Sequence, residues 1–175
     1  MSEVTVTRMA PGGMITLRGD PAEVGAAAAG VTRAEVPGPL TITGDGVRGL
    51  GWMAPDELLI LLPADEVAEA LERLGADLDG VHHLAVDVSD ARSRFALEGR
   101  GVRDIVQKLT PADLSEAAFP VGCLRRTRLA QVAGAIWMAE ESRIEAICFR
   151  SVTDYVETLL RTAAEAGPPG FHAPL

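Results

Sequence analysis

At 175 residues, 47% hydrophobic and 23% charged, the chain can bury one sizeable core but is short for two independent domains, so a single compact domain over residues 1–166 is expected. A net charge of −9 argues against nucleic acid or an anionic membrane as partner, since both call for a basic surface. No apolar run approaches the roughly 20 residues of a membrane helix, and the N-terminus lacks the regions of a signal peptide, which predicts a cytoplasmic protein.

In chain order, a first strand is expected around Met14–Arg18. Asp20 then suits a helix N-cap and Pro21 the first helical position, so Glu23–Ala29 reads as a short helix ended by Gly30. Leu40–Thr43, the turn Gly44-Asp45-Gly46 and Gly49–Met53 make a hairpin signal, and the apolar run Leu58–Leu62 a more buried strand. Asp65 is expected to cap a helix carrying Val67, Ala70, Leu71 and Leu74 on one face, with Gly75 as its stop. A strand through Leu84–Val88 and on through Phe95 and Leu97 opens the second half, followed by a helix bearing Val102, Ile105, Val106 and Leu109. Strands near Leu124–Val132, Ala135–Ala139 and Ile144–Phe149 come next. Ser151 with Asp154 resembles a capping box for a last helix that turns Val152, Tyr155, Val156 and Leu159 inward, and residues 167–175 should be an extended or disordered tail.

The tripeptide Trp-Met-Ala occurs at Trp52-Met53-Ala54 and again 85 residues later at Trp137-Met138-Ala139, which accounts for both tryptophans. The same offset lays Val67, Leu71 and Leu74 over Val152, Val156 and Leu159. These matches predict an α+β fold of pseudo-duplicated β-α-β-β-β-α halves with antiparallel sheets, about residues 14–75 and 84–165, related by a pseudo-twofold axis and packed on each other. The two tryptophans should then sit in similar environments, half-buried on equivalent strands.

No segment carries a strong catalytic signature. Gly99-Arg100-Gly101 lacks the third glycine and the parallel return strand of a dinucleotide site and reads as a turn. Adjacent His82 and His83 point to opposite sides of an extended segment and cannot readily share a metal. Cys123 and Cys148 lie outside any CxxC spacing and read as buried or half-buried thiols, with no nearby histidine to act as base for Cys123. Charge is uneven: residues 1–83 carry 13 acidic and 5 basic side chains, residues 84–175 carry 12 and 11. The basic clusters Arg92 with Arg94 and Arg125-Arg126 with Arg128 are either solvated strand edges or a docking surface for an acidic partner or ligand. Asp87–Arg92 reads either as an Asp/Ser turn or as a rim contacting another chain.

Several segments together resemble the gamma subunit family of heterotetrameric sarcosine oxidases. They are Leu50–Leu59, Val86-Asp87-Val88-Ser89-Asp90-Ala91-Arg92, Ala118-Phe119-Pro120-Val121-Gly122, Arg126-Thr127-Arg128-Leu129 and Phe149-Arg150-Ser151 with Tyr155. The resemblance implies a trimmed version of the aminomethyltransferase-like folate-binding fold, although no Lys-Gly-Cys-Tyr-type motif stands near Gly122-Cys123-Leu124. It further implies a non-catalytic accessory chain, without a cofactor or metal of its own, bound to alpha, beta and delta subunits. NAD, tetrahydrofolate, FAD and FMN would reside in those partners, and the assembly would oxidise sarcosine to glycine and pass the one-carbon unit to tetrahydrofolate. Trp52, Asp90, Arg92, Phe119, Arg126 and Arg128 are the candidate contact residues, because interfaces favour aromatic and arginine anchors. The alternatives are a free-standing folate-binding protein using the cleft between the halves, with Arg125–Arg128 meeting the glutamate tail, and a plain homo-oligomer.

Overall fold

The computed structural model describes residues 4–172. The chain runs β1 (Val4–Arg8), β2 (Gly13–Arg18), α1 (Pro21–Thr32), β3 (Ile42–Gly44), β4 (Gly49–Ala54), β5 (Glu57–Leu62), α2 (Val67–Asp77) and β6 (Leu84–Asp87). It continues with β7 (Arg92–Gly99), α3 (Val102–Gln107), β8 (Leu124–Leu129), β9 (Val132–Glu140), β10 (Arg143–Phe149) and α4 (Thr153–Glu165). Residues 11–90 form one compact unit, and residues up to 10 together with those from 91 onward form the other.

In the first unit, residues 11–90, the antiparallel sheet has strand order β3-β4-β5-β2-β6. Both helices cover one face, where Ile15, Leu17, Leu50, Leu58, Ile60 and Leu62 meet Val24, Ala28 and Val31 of α1 and Val67, Ala70 and Leu74 of α2. β5 lies mid-sheet and all six of its residues are buried, including Leu59 and Leu61 on the face away from the helices. A strand buried on both faces has no polar side to alternate with, which is why its sequence is an unbroken apolar run after Glu57.

The second unit repeats this order. Its sheet runs β8-β9-β10-β7-β1, again antiparallel, with α3 and α4 covering one face of Phe95, Leu97, Ile136, Met138, Ile144 and Ala146. Thus β2-α1-β3-β4-β5-α2 corresponds to β7-α3-β8-β9-β10-α4, each a split β-α-β arrangement with an added edge strand. The last strand of each sheet has a different origin. The first unit takes β6, which follows α2; the second takes β1, from the start of the chain.

That exchange corrects the expected continuous strand from Leu84 through Leu97. β6 and β7 belong to different sheets, separated by a 3-10 turn at Ser89–Ala91. The break is chemical: the Asp87 carboxylate accepts hydrogen bonds from the Ser89 amide at 2.9 Å and from its hydroxyl at 2.5 Å, while Met14 N donates to Ser89 Oγ at 2.9 Å. A side chain that satisfies the next amides replaces the ladder partner and turns the chain. β1 was not anticipated, although its Val4 and Val6 alternate with exposed Thr5 and Thr7 in strand fashion.

The glycine stops also differ. α1 passes through Gly30 and ends at Arg33, which adopts the left-handed conformation at φ 59° and donates its amide to Ala29 O at 2.8 Å. Gly30 instead makes room for Arg73, whose Nη2 would lie 3.0 Å from a Cβ there. α2 likewise runs past Gly75 to Asp77, and neither Asp65 nor Ser151 caps its helix, each lying in a 3-10 turn that leads into it. The expected N-cap at Asp20 is present, its carboxylate accepting from Ala22 N at 2.9 Å. α3 is only six residues long, and Tyr155 is 45% exposed instead of turned inward.

The long connection after α3 is organised by buried polar groups. Arg103 donates to the carbonyls of Leu114 and Phe119 at 3.0 and 2.7 Å, and Gln107 bonds the backbone of Ala112 and Leu114. Residues 168–172 run back to α3, where both oxygens of the fully buried Asp104 carboxylate accept amides, from Gly170 at 2.9 Å and His172 at 2.7 Å.

Candidate interaction surface

On the second unit's sheet face away from the helices, the register sets Glu145 of β10 opposite Trp137 of β9, with Arg94 of β7 on the same face diagonal to Glu145, opposite Ile147. Glu145 is 2% exposed, and both of its carboxylate oxygens are engaged: Arg94 Nε donates to Oε2 at 2.6 Å and Arg143 Nε to Oε1 at 2.9 Å. Arg143 also pairs with Glu98, and the Arg94 guanidinium lies over the Trp137 ring, 5.4 Å from its centroid. Burial pulls the Arg143 pKa down, but hydrogen bonding and charge from Glu145 and Glu98 outweigh it and leave the guanidinium more firmly protonated than usual. A carboxylate shared by two arginines is a rigid clamp. Removing one member of such a set leaves buried charge uncompensated.

The residues expected at a contact surface are distributed over both units. Trp52 is half-buried on β4 and packs against the first unit's core, and Asp90 is exposed in the 3-10 turn. Arg92, half-buried, begins β7. Arg126 and Arg128 are exposed two residues apart on β8, an edge strand, and so share a face. Phe119 is fully buried in the second unit's core beneath the Arg125 guanidinium, 5.9 Å from the ring centroid, and has no surface to offer. Trp137, expected half-buried, is 3% exposed. Glu145 was passed over, although a lone acid in the apolar run Ile144–Cys148 is itself a sign of buried pairing.

A cleft of about 550 Å³ in the first unit is lined by residues 32–35, 43–45 and Arg48. Two of its charged side chains, Arg48 and Asp45, are engaged within the unit. Arg48 forms a two-pronged pair with Glu66, which holds that carboxyl below its usual range, and the Asp45 carboxyl is lowered by the amides of Arg48 and Val47 at 2.8 and 3.0 Å. Among the described residues no group of three or more His, Cys, Asp or Glu side chains is placed to hold a metal ion. Both cysteines are buried free thiols: burial pushes Cys148 up to about 11, only partly offset by Arg8, and Cys123 Sγ accepts from Arg125 Nη1 at 2.6 Å. Gly101, at φ 80°, is the turn that starts α3. No helix among the described residues is long and apolar enough to cross a membrane.

Two split β-α-β units with a closed polar clamp are compatible with several kinds of protein, and comparison with known sequences decides among them. The sequence model of the "Sarcosine oxidase, gamma subunit family" matches residues 18–166. The chain belongs to the sarcosine oxidase gamma subunit family. It is 30% identical over 155 residues to the sarcosine oxidase subunit gamma of Corynebacterium sp. (strain U-96), covering 87% of this chain and 75% of that one. A solved heterotetrameric sarcosine oxidase from Corynebacterium sp. U-96 contains a chain that superposes with a TM-score of 0.84 at 27% identity, over 93% of this chain and 84% of that chain. The glycine cleavage system aminomethyltransferase T of Bartonella henselae shares the fold, with a TM-score of 0.66 at 11% identity over 91% of this chain and 45% of its own. The sarcosine oxidase gamma family thus has the fold that its resemblance to aminomethyltransferases implied.

Proposed function

We propose that the chain is the gamma subunit of a heterotetrameric sarcosine oxidase, an accessory chain that stabilises or positions the catalytic subunits. The observation that carries this reading is the match to a sarcosine oxidase gamma subunit over 87% of this chain in sequence and to a chain of a heterotetrameric sarcosine oxidase over 93% of it in fold. In this reading NAD, FAD, FMN and tetrahydrofolate are held by partner subunits, which oxidise sarcosine to glycine and pass the one-carbon unit to tetrahydrofolate in the cytoplasm. The internally neutralised Glu145 clamp fits a scaffold, since its carboxylate is already engaged by two arginines. The free-standing folate-binding alternative is not favoured by the family match.

Co-expression with the neighbouring flavoprotein subunits tests the reading. The chain should co-purify in fixed stoichiometry with a sarcosine-oxidising complex, and a chain that stays apart from those subunits overturns it. Tetrahydrofolate titrated into the isolated chain should leave the Trp52 and Trp137 fluorescence without a saturable change.

A further inference from the structure

A sheet edge left open is a site for strand addition, and natural proteins protect such edges with charge, shortness or polar outward residues. Of the four edge strands among the described residues, three follow that rule. β8 carries exposed Arg126 and Arg128, β3 is three residues long, and β1 turns Thr5 and Thr7 outward.

β6 does not. Its register against β2 sets Leu84 opposite Arg18 and Val86 opposite Thr16, on the face away from the helices, where they are 54% and 40% exposed. β1 occupies the corresponding place in the second unit with threonines, so the fold itself does not call for apolar residues there. Surrounding charge narrows the occupant. Residues 11–90 carry 14 acidic and 4 basic side chains; exposed Asp87 ends the strand, and exposed Asp79 and Asp90 precede and follow it in the chain.

We propose that the outer edge of β6 receives an extended segment of a partner subunit. That segment adds a strand to the first unit's sheet, sets alternating apolar side chains against Leu84 and Val86, and brings Lys or Arg toward Asp87 and Asp90. Main-chain hydrogen bonds supply affinity in this mode and the alternating side chains supply selectivity. The inference rests on the chain being a subunit of a hetero-oligomer, as proposed above.

The test compares full-length wild type with L84T/V86T, which copies the threonines of β1 and keeps strand-forming residues, both co-expressed with the partner subunits. Dissociation constants from dilution of the purified complexes should differ by about ten-fold or more, with the free variant's circular dichroism unchanged. Backbone amides of β6 should exchange more slowly in the wild-type complex than in the free chain. Dissociation constants within two-fold and unchanged β6 exchange overturn the proposal. So does self-association of the isolated wild type that L84T/V86T abolishes, which assigns the edge to a second copy. Failure of the wild type to join any complex overturns the subunit reading itself.

Discussion

Trp52 and Trp137 occupy corresponding strands of the two units but point to opposite faces of their sheets. The hairpins that follow them close at Ala54 opposite Glu57 and at Glu140 opposite Arg143. Trp52 stands two residues before its closing position and Trp137 three. Because side chains on a strand alternate, that one-residue difference sends Trp52 to the helix-covered core and Trp137 to the other face, beneath Arg94. Met138, not Trp137, is the residue that takes Trp52's place in the second unit's core. The sequence repeat is therefore real in strand order and one step out of phase in orientation.

The two rings should be separable by fluorescence. In W52F the remaining Trp137 should emit at short wavelength and resist acrylamide, whereas in W137F the half-buried Trp52 should emit to the red and be quenched more readily. Replacement by alanine should cost about 3 kcal/mol at Trp137 and about 1 kcal/mol at Trp52 in urea unfolding. Equal quenching of the two single-tryptophan proteins contradicts the opposed orientation.

Glu145 holds two guanidinium groups on a buried face. E145A should destabilise the protein by about 3–5 kcal/mol, because the Arg94 guanidinium loses its buried carboxylate and Arg143 keeps only Glu98. A change below about 1 kcal/mol in chemical denaturation would show that the clamp contributes nothing net.

Cys148 titrates at about 11 in the fold against an ordinary 9.0, because burial disfavours the thiolate. A raised pKa means that the folded state keeps its proton while the unfolded chain loses it. The contribution to stability is complete below pH 9, falls as pH rises from 9, and is gone above about 11, with a total on the order of 2–3 kcal/mol. C148A should flatten that part of the stability profile relative to wild type. Below pH 9, the native thiol should react slowly with disulfide reagents.

Asp104 ties residues 170 and 172 to α3 through two amides. D104A should lose about 2–3 kcal/mol of stability and speed carboxypeptidase trimming and amide exchange over residues 168–172. Lys108, which donates to Ala163 O at 2.6 Å and Gly167 O at 2.9 Å, should hold the end of α4 in that variant, so trimming should slow at residue 167.

Much of the architecture is legible in the sequence because its signals are local. The apolar run Leu58–Leu62, the Asp20-Pro21 start and the spaced Val67, Ala70 and Leu74 each find their place in a strand, a cap or a helix face. The errors cluster where a distant group decides. Gly30 reads as a helix stop, but its lack of a side chain serves Arg73, 43 residues away in sequence. Phe119 reads as a surface anchor, but the loop that carries it is drawn inward by Arg103, which bonds its carbonyl.

By itself the sequence determined the class of the chain, the order of its elements within each half, the acidic character of the first half and the family to which it belongs. These follow from periodicity, composition and residue identity, all carried by neighbours along the chain. Only the tertiary structure decided which sheet each edge strand joins and which face each tryptophan takes. Strand exchange between β6 and β1 depends on pairing across tens of residues, and facing depends on a register that a single residue inverts. Neither quantity is encoded by a short window of sequence, and both settle where the buried clamp forms and which edge is left open.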